Sequence, residues 1–530
     1  MTLALVNLAR LANAGWVLMR HGAQVIPDTV ELPEPVRLFS RVTSRLRERR
    51  NRNGKDKKNE TRLSTALTSL GPSYIKLGQF LATRDDLVGR DLARDLSKLQ
   101  DKLPPFSMAE ARKALEDELG RSVEDLFDEF GPPLAAASIA QVHKAYVRDA
   151  AGERRPRAVK ILRPGIERRF GKDLDAYVFA ARLVERFHAP ARRLKPLAVV
   201  ETLAKSVAIE MDLRMEAAAI SEMAENTSED DGFKVPQIDW SLSGRRVLTL
   251  EWIDGTPIAD HDALREAGHD LKHLGTVLIQ SFLRHAMRDG FFHADMHPGN
   301  LFVDAAGDIV AVDFGIMGRL GPKEQRFLAE ILHGFITRNY RRVAEVHFEA
   351  GYVPRKHSVE LFAQALRAIG EPLMDRTAEE ISMGHLLGQL FQYTEVFDMP
   401  TQTQLILLQK TMVVVEGVAR ALDPRLNIWT TAEPVAQEWM DSHFGPEGRL
   451  QDAAEGAASV GRLVGDLPQL LSQAEQAAES FSAMAADGLR LDAYTIDRLA
   501  EAQARHGRLA RWGIWIGALS LLAIAVSLLP

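Results

Sequence analysis

The sequence of 530 residues has no cysteine. Disulfides, iron–sulfur clusters and thiolate zinc sites all need cysteine sulfur, so all three are excluded. A basic excess is also lacking, because 66 Lys and Arg residues stand against 72 Asp and Glu residues, a formal net charge of −6. Proteins that coat nucleic acid do so through a net basic field, and we therefore predict no nucleic-acid partner.

Two kinds of sequence pattern are missing as well. No Gly-x-Gly-x-x-Gly fingerprint for a dinucleotide occurs, which leaves a monooxygenase function without support. No repeat at a solenoid period is evident. What is present is an ordinary globular composition, 46% hydrophobic and 26% charged, with a length that predicts about three or four structural units.

The chain has apolar segments at both ends. Residues 1–26 are apolar but carry Arg10 and Arg20, a pattern that fits an amphipathic surface helix better than a cleaved secretory signal. Residues 512–529 are 18 uncharged residues, or about 27 Å of helix, which approaches the thickness of a hydrocarbon core. We predict a transmembrane helix there, with a buried hairpin helix as the alternative.

Basic residues near these two segments indicate where in the cell the protein lies and how it is oriented in a membrane. The predicted span is preceded by three arginines and followed only by Pro530; the arginines are Arg505, Arg508 and Arg511. Positive-inside bias then places the chain in the inner (cytoplasmic) membrane, with its body and any catalytic domain facing the cytoplasm. Residues 41–58 hold nine Lys and Arg residues, either as a solvated linker or as a segment attracted to anionic lipid.

The strongest chemical signal lies in residues 293–315. Asp295 and Asn300 are five residues apart, and Asp313 opens an Asp-Phe-Gly 13 residues later, after a predicted hairpin of LFVD and IVAVD. This order is typical of a kinase catalytic loop, in which one carboxylate faces the attacking hydroxyl or water while an amide and a second carboxylate hold Mg²⁺. We therefore predict that Asp295 is catalytic and that Asn300 and Asp313 bind the metal.

Two histidines flank Asp295 in this loop. His293 and His297 are four residues apart, a spacing that resembles that of zinc ligands. However, Pro298 breaks any helix that would place both rings on one face. We therefore assign both histidines to scaffolding of the loop through hydrogen bonds.

A kinase site also needs a lysine on a strand. Residues 142–150 and 158–162 predict a hairpin, and Lys160 lies in its second strand, where it would hold the α and β phosphates of a nucleotide and act in catalysis. A glycine-rich phosphate loop is expected before this hairpin. In its place, after a predicted break at Pro132-Pro133, the chain has Ala135, Ala136, Ala137 and Ser138. Alanine disfavours positive φ, so this candidate nucleotide loop cannot drape over phosphates as a glycine loop does.

The segment after Asp-Phe-Gly limits the type of acceptor. It reads IMGRLGPKEQRFLAEIL, which enters a helical pattern almost at once, with no Ala-Pro-Glu and no long activation segment. Kinases that phosphorylate peptides need that platform to hold a substrate strand. Phosphorylation of proteins in trans is therefore disfavoured, and water or a small buried hydroxyl stays open as the acceptor.

Together with three further motifs, the lysine and the catalytic-loop residues described above make the chain resemble the UbiB/ADCK family of atypical protein-kinase-like proteins. The motifs are Lys76-Leu77-Gly78-Gln79 as the KxGQ signature, the alanine-rich loop, and Glu210-Met211-Asp212 as the ExD signature, followed by Glu216. The resemblance covers about residues 63–320 and, by position, the C-terminal anchor. Bacterial members commonly show two terminal spans, whereas one apolar run of sufficient length is visible here.

The resemblance implies roles that the residues alone do not show. Glu216 would be the helix acid that pairs with the nucleotide lysine and would belong to the nucleotide site. Lys76 and Gln79 would be regulatory residues on a helical extension folded over the site, where a protein substrate would otherwise dock. Glu210 and Asp212 would share that regulatory role. Without the resemblance, the charged members of both motifs would pass for solvated surface residues.

In function, the resemblance implies a membrane-anchored atypical kinase or ATPase that binds ATP or ADP with Mg²⁺ and supports ubiquinone biosynthesis. Its partners would be membrane lipid, polyprenyl quinone intermediates or quinone-biosynthesis enzymes, and a homodimer is a further candidate. Two alternatives stay open. HADMHPGN also resembles the HxDxxPxN loop of aminoglycoside and choline kinases, which favours a small-molecule phosphotransferase. The other alternative is a pseudokinase scaffold that binds nucleotide without turnover.

The fold we predict is α+β, a two-lobed protein-kinase-like fold with an N-terminal helical extension and a C-terminal transmembrane helix. The predicted divisions are 1–62 for an amphipathic helix and basic linker, 63–130 for the KxGQ extension, 131–253 for the small lobe, 254–440 for the large lobe, 441–511 for a helical tail and 512–529 for the transmembrane helix.

Overall fold

The computed structural model describes most of the chain up to Phe444. The described residues are 2–21, 62–82, 84, 88–96, 99, 103–149, 151–187, 192, 195–374, 393, 396–399 and 403–444. The basic run 41–58 and all but the first four residues of the predicted tail 441–511 lie outside them, as does the predicted span 512–529.

The predicted fold is corrected at its C-terminal end. Within the described ranges, no helix is long and apolar enough to cross a bilayer. The run 512–529, for which the sequence predicts the transmembrane helix, lies outside these ranges. The described residues support the kinase-like α+β fold, and the predicted C-terminal transmembrane helix is not supported by them.

The N-terminal extension is helical, as the apolar spacing of its sequence predicts. Its helices are α1 (Thr2–Arg20), α2 (Arg62–Leu70), α3 (Pro72–Ala82) and α4 (Arg90–Leu96). Gly71 separates α2 from α3 with a φ of +106°, a positive value that glycine adopts without steric cost. Ile75 on α3 is fully buried in the main hydrophobic cluster, so the extension is part of the core.

Gly78 lets α3 approach its neighbours closely. A Cβ atom at this position would lie 2.9 Å from Cδ1 of Leu67 on α2 and 2.9 Å from Cδ2 of Leu99. Real Cβ atoms do not approach other atoms so closely, because packed interiors leave no spare volume. The glycine of the Lys-x-Gly-Gln motif is therefore a packing residue.

Substitution Gly78→Ala should lower the free energy of unfolding by about 1–3 kcal/mol, the usual cost of overpacking a core. Gly171 is the matched control, because a Cβ there would meet nothing within 4 Å although the residue is also helical. Gly171→Ala should raise stability by roughly 0.5–1 kcal/mol, since alanine loses less entropy in a helix. Urea unfolding of both variants measures the difference, and equal changes would refute the packing role of Gly78.

The small lobe is built on a four-stranded antiparallel sheet. Two helices precede it, α5 (Met108–Leu119) and α6 (Val123–Leu126). The first strands of the chain are β1 (Glu129–Ala136), β2 (Ala140–Arg148), β3 (Arg154–Leu162), β4 (Phe233–Lys234) and β5 (Val247–Glu251). The sheet of the small lobe has the order β1-β2-β3-β5, and β4 belongs to a second sheet. The predicted hairpin is thus present as β2 and β3.

The structure differs from the prediction at Pro132-Pro133. The two prolines lie inside β1 and do not end a segment. β1 is an edge strand, which tolerates the missing N–H groups of proline, and the register shifts on both sides of Pro133. The structure also differs at residues 151–157, which separate the two predicted strands of the hairpin. β3 begins at Arg154, so only the residues before it form the turn.

His143 on β2 is a fully buried histidine of the small lobe. Its Nδ1 donates to the carbonyl of Gly131 at 2.9 Å, and its Nε2 accepts from the Gln141 amide at 2.8 Å. The ring stacks on Phe130 with centroids 4.5 Å apart. Burial lowers the pKa of His143 below its usual 6.5, so the folded protein keeps this ring neutral.

We expect stability to fall as the pH drops below about 6.5, because the unfolded chain then binds a proton that the buried His143 does not. The contribution is fully present above that pH and is lost as the pH approaches the lower pKa of the folded state. It amounts to at most about 1.4 kcal/mol per pH unit for one histidine. His143→Gln has no ring to protonate and should show a shallower pH dependence of its urea midpoint. An unchanged slope would contradict this account.

Three helices follow β3 and precede β4 and β5 in the chain: α7 (Ile166–Phe187), α8 (Pro196–Glu210) and α9 (Leu213–Asn226). The remaining strands are β6 (Gly255–Pro257), β7 (Phe291–His293), β8 (Leu301–Asp304), β9 (Ile309–Ala311) and β10 (Met317–Arg319). They form a second sheet of order β4-β9-β8-β6 and the pair β10-β7. The predicted hairpin of LFVD and IVAVD is the antiparallel pair β8 and β9.

The large lobe is mainly helical. Its helices are α10 (His261–Glu266), α11 (Leu271–Arg284), α12 (Pro322–Ile336), α13 (Tyr340–Glu349), α14 (Val359–Met374), α15 (Thr403–Leu422) and α16 (Ile428–Phe444). A π-helical turn, His285–Asp289, extends α11 towards β7. The chain enters α12 soon after Asp-Phe-Gly, as predicted, but only after the short strand β10.

One buried cluster joins the extension to both lobes. It contains Phe170 of α7, Ile220 of α9, Phe282 of α11 and Phe314 of the Asp-Phe-Gly, each at most 1% exposed. Residues 1–440 accordingly form one compact unit. A close-packed core permits little movement. The polar side chains next to these four buried residues are therefore held in place by packing.

Candidate active site

Lys160 on β3 is the centre of an ion cluster. Its Nζ lies 2.8 Å and 2.9 Å from the two carboxylate oxygens of Glu216 on α9, and 2.8 Å from Oδ1 of Asp313. The side chains of Lys160 and Glu216 are only 18% and 7% exposed, whereas that of Asp313 is 53% exposed. The cluster is therefore enclosed around Glu216 and opens to solvent at Asp313.

The three charges of the cluster shift one another's protonation. Burial would lower the pKa of the Lys160 ammonium, but the charges of Asp313 and Glu216 outweigh burial and raise it. The Lys160 charge holds the pKa of Asp313 well below its ordinary range. Burial raises the pKa of Glu216 although Lys160 opposes the effect. Asp313 is thus the member that stays anionic over the widest pH range, as a ligand for a cation must.

Asp313 has a left-handed backbone with a φ of +62°. Aspartate is one of the few residues that adopt this conformation with little strain. The next residue, Phe314, is 1% exposed and meets the His293 ring edge-on, with centroids 4.9 Å apart. The buried phenyl group thus anchors the backbone that presents the Asp313 carboxylate to solvent.

Asp295 follows β7 in a loop whose backbone is held by hydrogen bonds. Its N–H donates to Nδ1 of His293 at 3.1 Å, and its carbonyl accepts from the Asn300 amide at 3.0 Å. The Asp295 side chain is 43% exposed. The loop therefore fixes the backbone at Asp295 and leaves its carboxylate accessible to a substrate.

His293 and His297 have the scaffolding contacts that the sequence predicts. His293 is fully buried, and its Nε2 donates to the carbonyl of Val312 at 3.3 Å. Burial lowers the pKa of His293, and the nearby carboxylates of Asp295 and Asp313 oppose this shift only in part. His297 Nδ1 accepts from the N–H of Gly299 at 3.0 Å. Both rings are thus engaged with the backbone of the loop.

Asn300 and Asp313 are the residues predicted to hold Mg²⁺. Asn300 is 7% exposed, and its amide nitrogen is used by the Asp295 carbonyl, which leaves its amide oxygen as the ligand atom. The N–H of Val312, next to Asp313, donates to the Asn300 carbonyl at 2.8 Å. Within the described ranges, no group of three or more acidic, histidine or cysteine side chains is arranged to hold a metal ion by itself. Two oxygen ligands fit Mg²⁺ with a nucleotide, because Mg²⁺ usually takes its other ligands from phosphates and water.

The alanine-rich loop forms the turn between β1 and β2. Ala135 and Ala136 end β1, and Ala137 donates its N–H to the carbonyl of Ala140 at 2.8 Å. Arg163, which follows β3, donates to the carbonyls of Ala137 at 3.2 Å and Ser138 at 3.3 Å. The loop is therefore a tight hairpin fixed by a cation, in contrast to a mobile glycine loop.

The KxGQ motif lies beside the ion cluster. Lys76 on α3 forms an ion pair with Glu210 at the end of α8, and their side chains are 12% and 23% exposed. The Lys76 charge contributes to the low pKa of Asp313, and the Glu210 charge contributes to the high pKa of Glu216. The extension thus lies close enough to the ion cluster for its charges to act on Asp313 and Glu216.

Gln79 and Asp212 are the other residues that the resemblance assigns to these motifs. Gln79 lies three residues after Lys76 on α3, on the same side of the helix, and is partly buried. Asp212 caps α9, with its side chain accepting from the Arg214 N–H at 3.2 Å. Asp212 is therefore placed to stabilise the start of the helix that carries Glu216, and it does not contact Lys160.

Sequence reasoning missed two arginines near the site. Arg163 fixes the alanine-rich turn, as described. Arg319 on β10 donates to Oε1 of Glu222 on α9 at 2.7 Å and lies over the Phe291 ring. This ion pair ties the segment after Asp-Phe-Gly to the helix of Glu216. The sequence around each arginine gives no sign of its role, because the residues that each one contacts are distant from it along the chain.

Comparisons with known proteins identify the family of this chain. Residues 98–347 match the ABC1 atypical kinase-like domain, and residues 366–427 match the UbiB helical domain. The chain is 39% identical over 476 residues to a probable protein kinase UbiB from Marinobacter nauticus, covering 89% of this chain and 85% of that protein. A chain in the solved complex of Rv3197 with erythromycin from Mycobacterium tuberculosis is 25% identical; the match covers 75% of this chain and 98% of that chain, with a TM-score of 0.46. With Lys160, Glu216 and Asp313 in one cluster and sequence identity over most of its length, the chain belongs to the UbiB/ADCK family of atypical kinase-like proteins.

Proposed function

We propose that this chain is a Mg²⁺-dependent, nucleotide-binding ATPase or phosphotransferase that supports ubiquinone biosynthesis. The observation that carries the proposal is the position of Lys160, in contact with both Glu216 and Asp313. A phosphoryl-transfer site needs this lysine, its helix acid and the Asp-Phe-Gly aspartate together. A scaffold that only binds nucleotide would not need Asp295 as well.

Each residue then has a distinct task. Lys160, oriented by Glu216, would hold the α and β phosphates. Asp313 and Asn300 would hold Mg²⁺, which when bound neutralises charge that develops on the transferred phosphoryl group. Asp295 would orient the attacking hydroxyl or water and accept its proton.

Three features favour water or a small hydroxyl over a peptide as the acceptor. The segment after Asp-Phe-Gly forms β10 and then enters α12 at Pro322, so it offers no long platform for a peptide strand. The Lys76–Glu210 ion pair brings α3 to the edge of the site, where a protein substrate would dock. The Asp295 carboxylate is nonetheless exposed enough for a small acceptor.

A small-molecule phosphotransferase is the second candidate. It is favoured by the loop HADMHPGN, whose Asp295 is both accessible and held in place. The two candidates differ in product, because an ATPase transfers the phosphoryl group to water and releases inorganic phosphate, whereas a phosphotransferase releases a phosphorylated small molecule. We propose that ATP turnover by this chain acts on a polyprenyl quinone intermediate of ubiquinone biosynthesis, or on an enzyme that handles such an intermediate.

A deletion strain tests the pathway assignment. We expect low ubiquinone and accumulated precursors in the strain, restored by the wild-type chain but not by Asp295→Asn. Gly171→Ala serves as the matched control and should restore quinone as the wild type does, because Gly171 lies in open space on α7. Normal quinone content in the deletion strain would overturn the pathway assignment, and full restoration by Asp295→Asn would overturn the requirement for turnover.

A further inference from the structure

Thr411 connects the C-terminal helices to the catalytic loop. It lies on α15, within the segment that matches the UbiB helical domain, and is 1% exposed. Its Oγ1 is 3.1 Å from the carbonyl oxygen of Ala294, which is 117 residues away along the chain and directly precedes Asp295. The same hydroxyl is 2.9 Å from the carbonyl of Leu407, one turn earlier on its own helix. Its single hydrogen is therefore shared between the two carbonyls or directed to one of them.

The backbone around Asp295 is held at four points. The Ala294 N–H donates to the carbonyl of Ile316 at 3.0 Å, and the Asp295 N–H donates to His293. The Asp295 carbonyl accepts from Asn300. These three partners all lie within residues 293–316, the catalytic segment itself. The Ala294 carbonyl is the fourth point, and its partner Thr411 comes from a different part of the fold.

This difference gives Thr411 a specific role. Ala294 is 7% exposed, so solvent has little access to replace a lost donor at its carbonyl. Without the Thr411 hydroxyl, the peptide that joins Ala294 to Asp295 would be held only through the Asp295 N–H on His293, and the Asp295 carboxylate would shift with any tilt of that peptide. A displacement of about 1 Å in a catalytic group is enough to lower a rate substantially.

We propose that Thr411 is a positioning residue for Asp295, and that α15 holds the catalytic loop in its active geometry through this hydrogen bond. This role rests on the proposed function, because it concerns the turnover of bound nucleotide. Thr411 contacts the loop backbone only and is not expected to contact nucleotide or metal. Its loss should therefore change kcat and leave nucleotide affinity alone.

Two variants of Thr411 separate the hydroxyl from the packing. Thr411→Val keeps the shape of the side chain and removes the hydroxyl, whereas Thr411→Ser keeps the hydroxyl. The control is Thr227→Val, since Thr227 directly follows α9, is 6% exposed and donates its hydroxyl to the carbonyl of Met223 four residues earlier. Thr227→Val removes a buried hydroxyl that bonds the carbonyl four residues earlier, as Thr411 does, without touching the catalytic loop.

The measurement is phosphate release under single-turnover conditions, with Mg–ATP affinity measured on the same samples. We expect Thr411→Val to lower the rate roughly tenfold with a dissociation constant within about twofold of wild type. Thr411→Ser should recover most of the rate, and Thr227→Val should keep it. Hydrogen exchange should also be faster at residues 293–296 in Thr411→Val alone.

The possible results divide cleanly. Equal rates for wild type and Thr411→Val would overturn the positioning role while leaving the proposed function intact. An equal loss of rate in Thr411→Val and Thr227→Val would also overturn it, because the effect would then be general destabilisation. Failure of the wild-type chain to release phosphate at all would overturn the ATPase form of the proposed function, and the positioning role with it.

Discussion

Replacing Asp295 by asparagine should lower turnover roughly 100-fold or more while leaving Mg–nucleotide affinity nearly unchanged. The Asp295 side chain has no contact with Lys160 in the ion cluster, and its backbone hydrogen bonds to His293 and Asn300 do not depend on its charge. Asparagine therefore keeps the loop geometry and removes only the group that orients the nucleophile and accepts its proton.

Replacing Asp313 by asparagine should do the opposite. Asparagine tolerates the left-handed backbone that Asp313 adopts, so the local fold should persist. The variant loses an anionic oxygen ligand for a hard cation, and Mg²⁺-dependent nucleotide affinity should fall by at least about tenfold. Lys160 keeps its two contacts with Glu216, so Mg²⁺-independent binding should change less.

Nucleotide titrations with and without Mg²⁺, combined with single-turnover phosphate release, measure both effects on the same samples. The unfolding midpoints of the two variants should also be compared, to exclude loss of fold. If Asp295→Asn loses nucleotide binding while Asp313→Asn retains it, the two roles are assigned the wrong way round.

The second large effect is expected at Lys160. Lys160→Met should abolish nucleotide binding and lower the free energy of unfolding by about 3 kcal/mol, because it leaves the buried Glu216 without its counter-charge. Lys234 is the matched control: it too contacts two carboxylates, those of Asp304 and Asp308, but it is 52% exposed. Lys234→Met should cost about 1 kcal/mol or less.

The stability loss of Lys160→Met should depend on pH in a defined direction. Burial already raises the pKa of Glu216, and removal of the Lys160 charge raises it further. A carboxyl with a raised pKa in the folded state stabilises the fold when protonated, and this stability is lost as the pH rises through that pKa. The difference between wild type and Lys160→Met should therefore be larger at pH about 8 than at pH about 5. Chemical denaturation at the two pH values measures it, and a larger difference at the lower pH would refute the assignment.

The sequence alone was enough to predict those parts of the site that lie close together along the chain. The spacing of Asp295, Asn300 and Asp313 carries its own chemical meaning, and the short hairpin between the last two is visible as alternating apolar residues. Lys160 could be placed because its strand has a clear apolar pattern. These predictions depend on the spacing of residues over short stretches of the chain, which can be read directly from the sequence.

Contacts between distant segments were not accessible in the same way. Lys76 and Glu210 are 134 residues apart, and neither has a sequence context that differs from that of an exposed helical charge. Only the resemblance to a family singled them out. Arg163 and Thr411 have no such signature, and their roles appear only when the fold brings them to the alanine-rich turn and the catalytic loop.

Two errors in the predicted fold have simple physical causes. A Pro-Pro pair normally interrupts secondary structure. On an edge strand, however, some N–H groups have no partner in the sheet, so β1 accommodates both Pro132 and Pro133. At the C-terminus, the predicted transmembrane helix is not supported, since no helix of the described residues is long and apolar enough to cross a bilayer.

The central claim is that Lys160, Glu216 and Asp313 form the binding site for one Mg–nucleotide. Titration of the wild-type chain with ATP by calorimetry, at saturating Mg²⁺ and again with Mg²⁺ chelated, tests it most directly. The account predicts saturable binding of one nucleotide per chain that weakens strongly when Mg²⁺ is removed and disappears in Lys160→Met. Binding that is unaffected both by chelation and by Lys160→Met would contradict it.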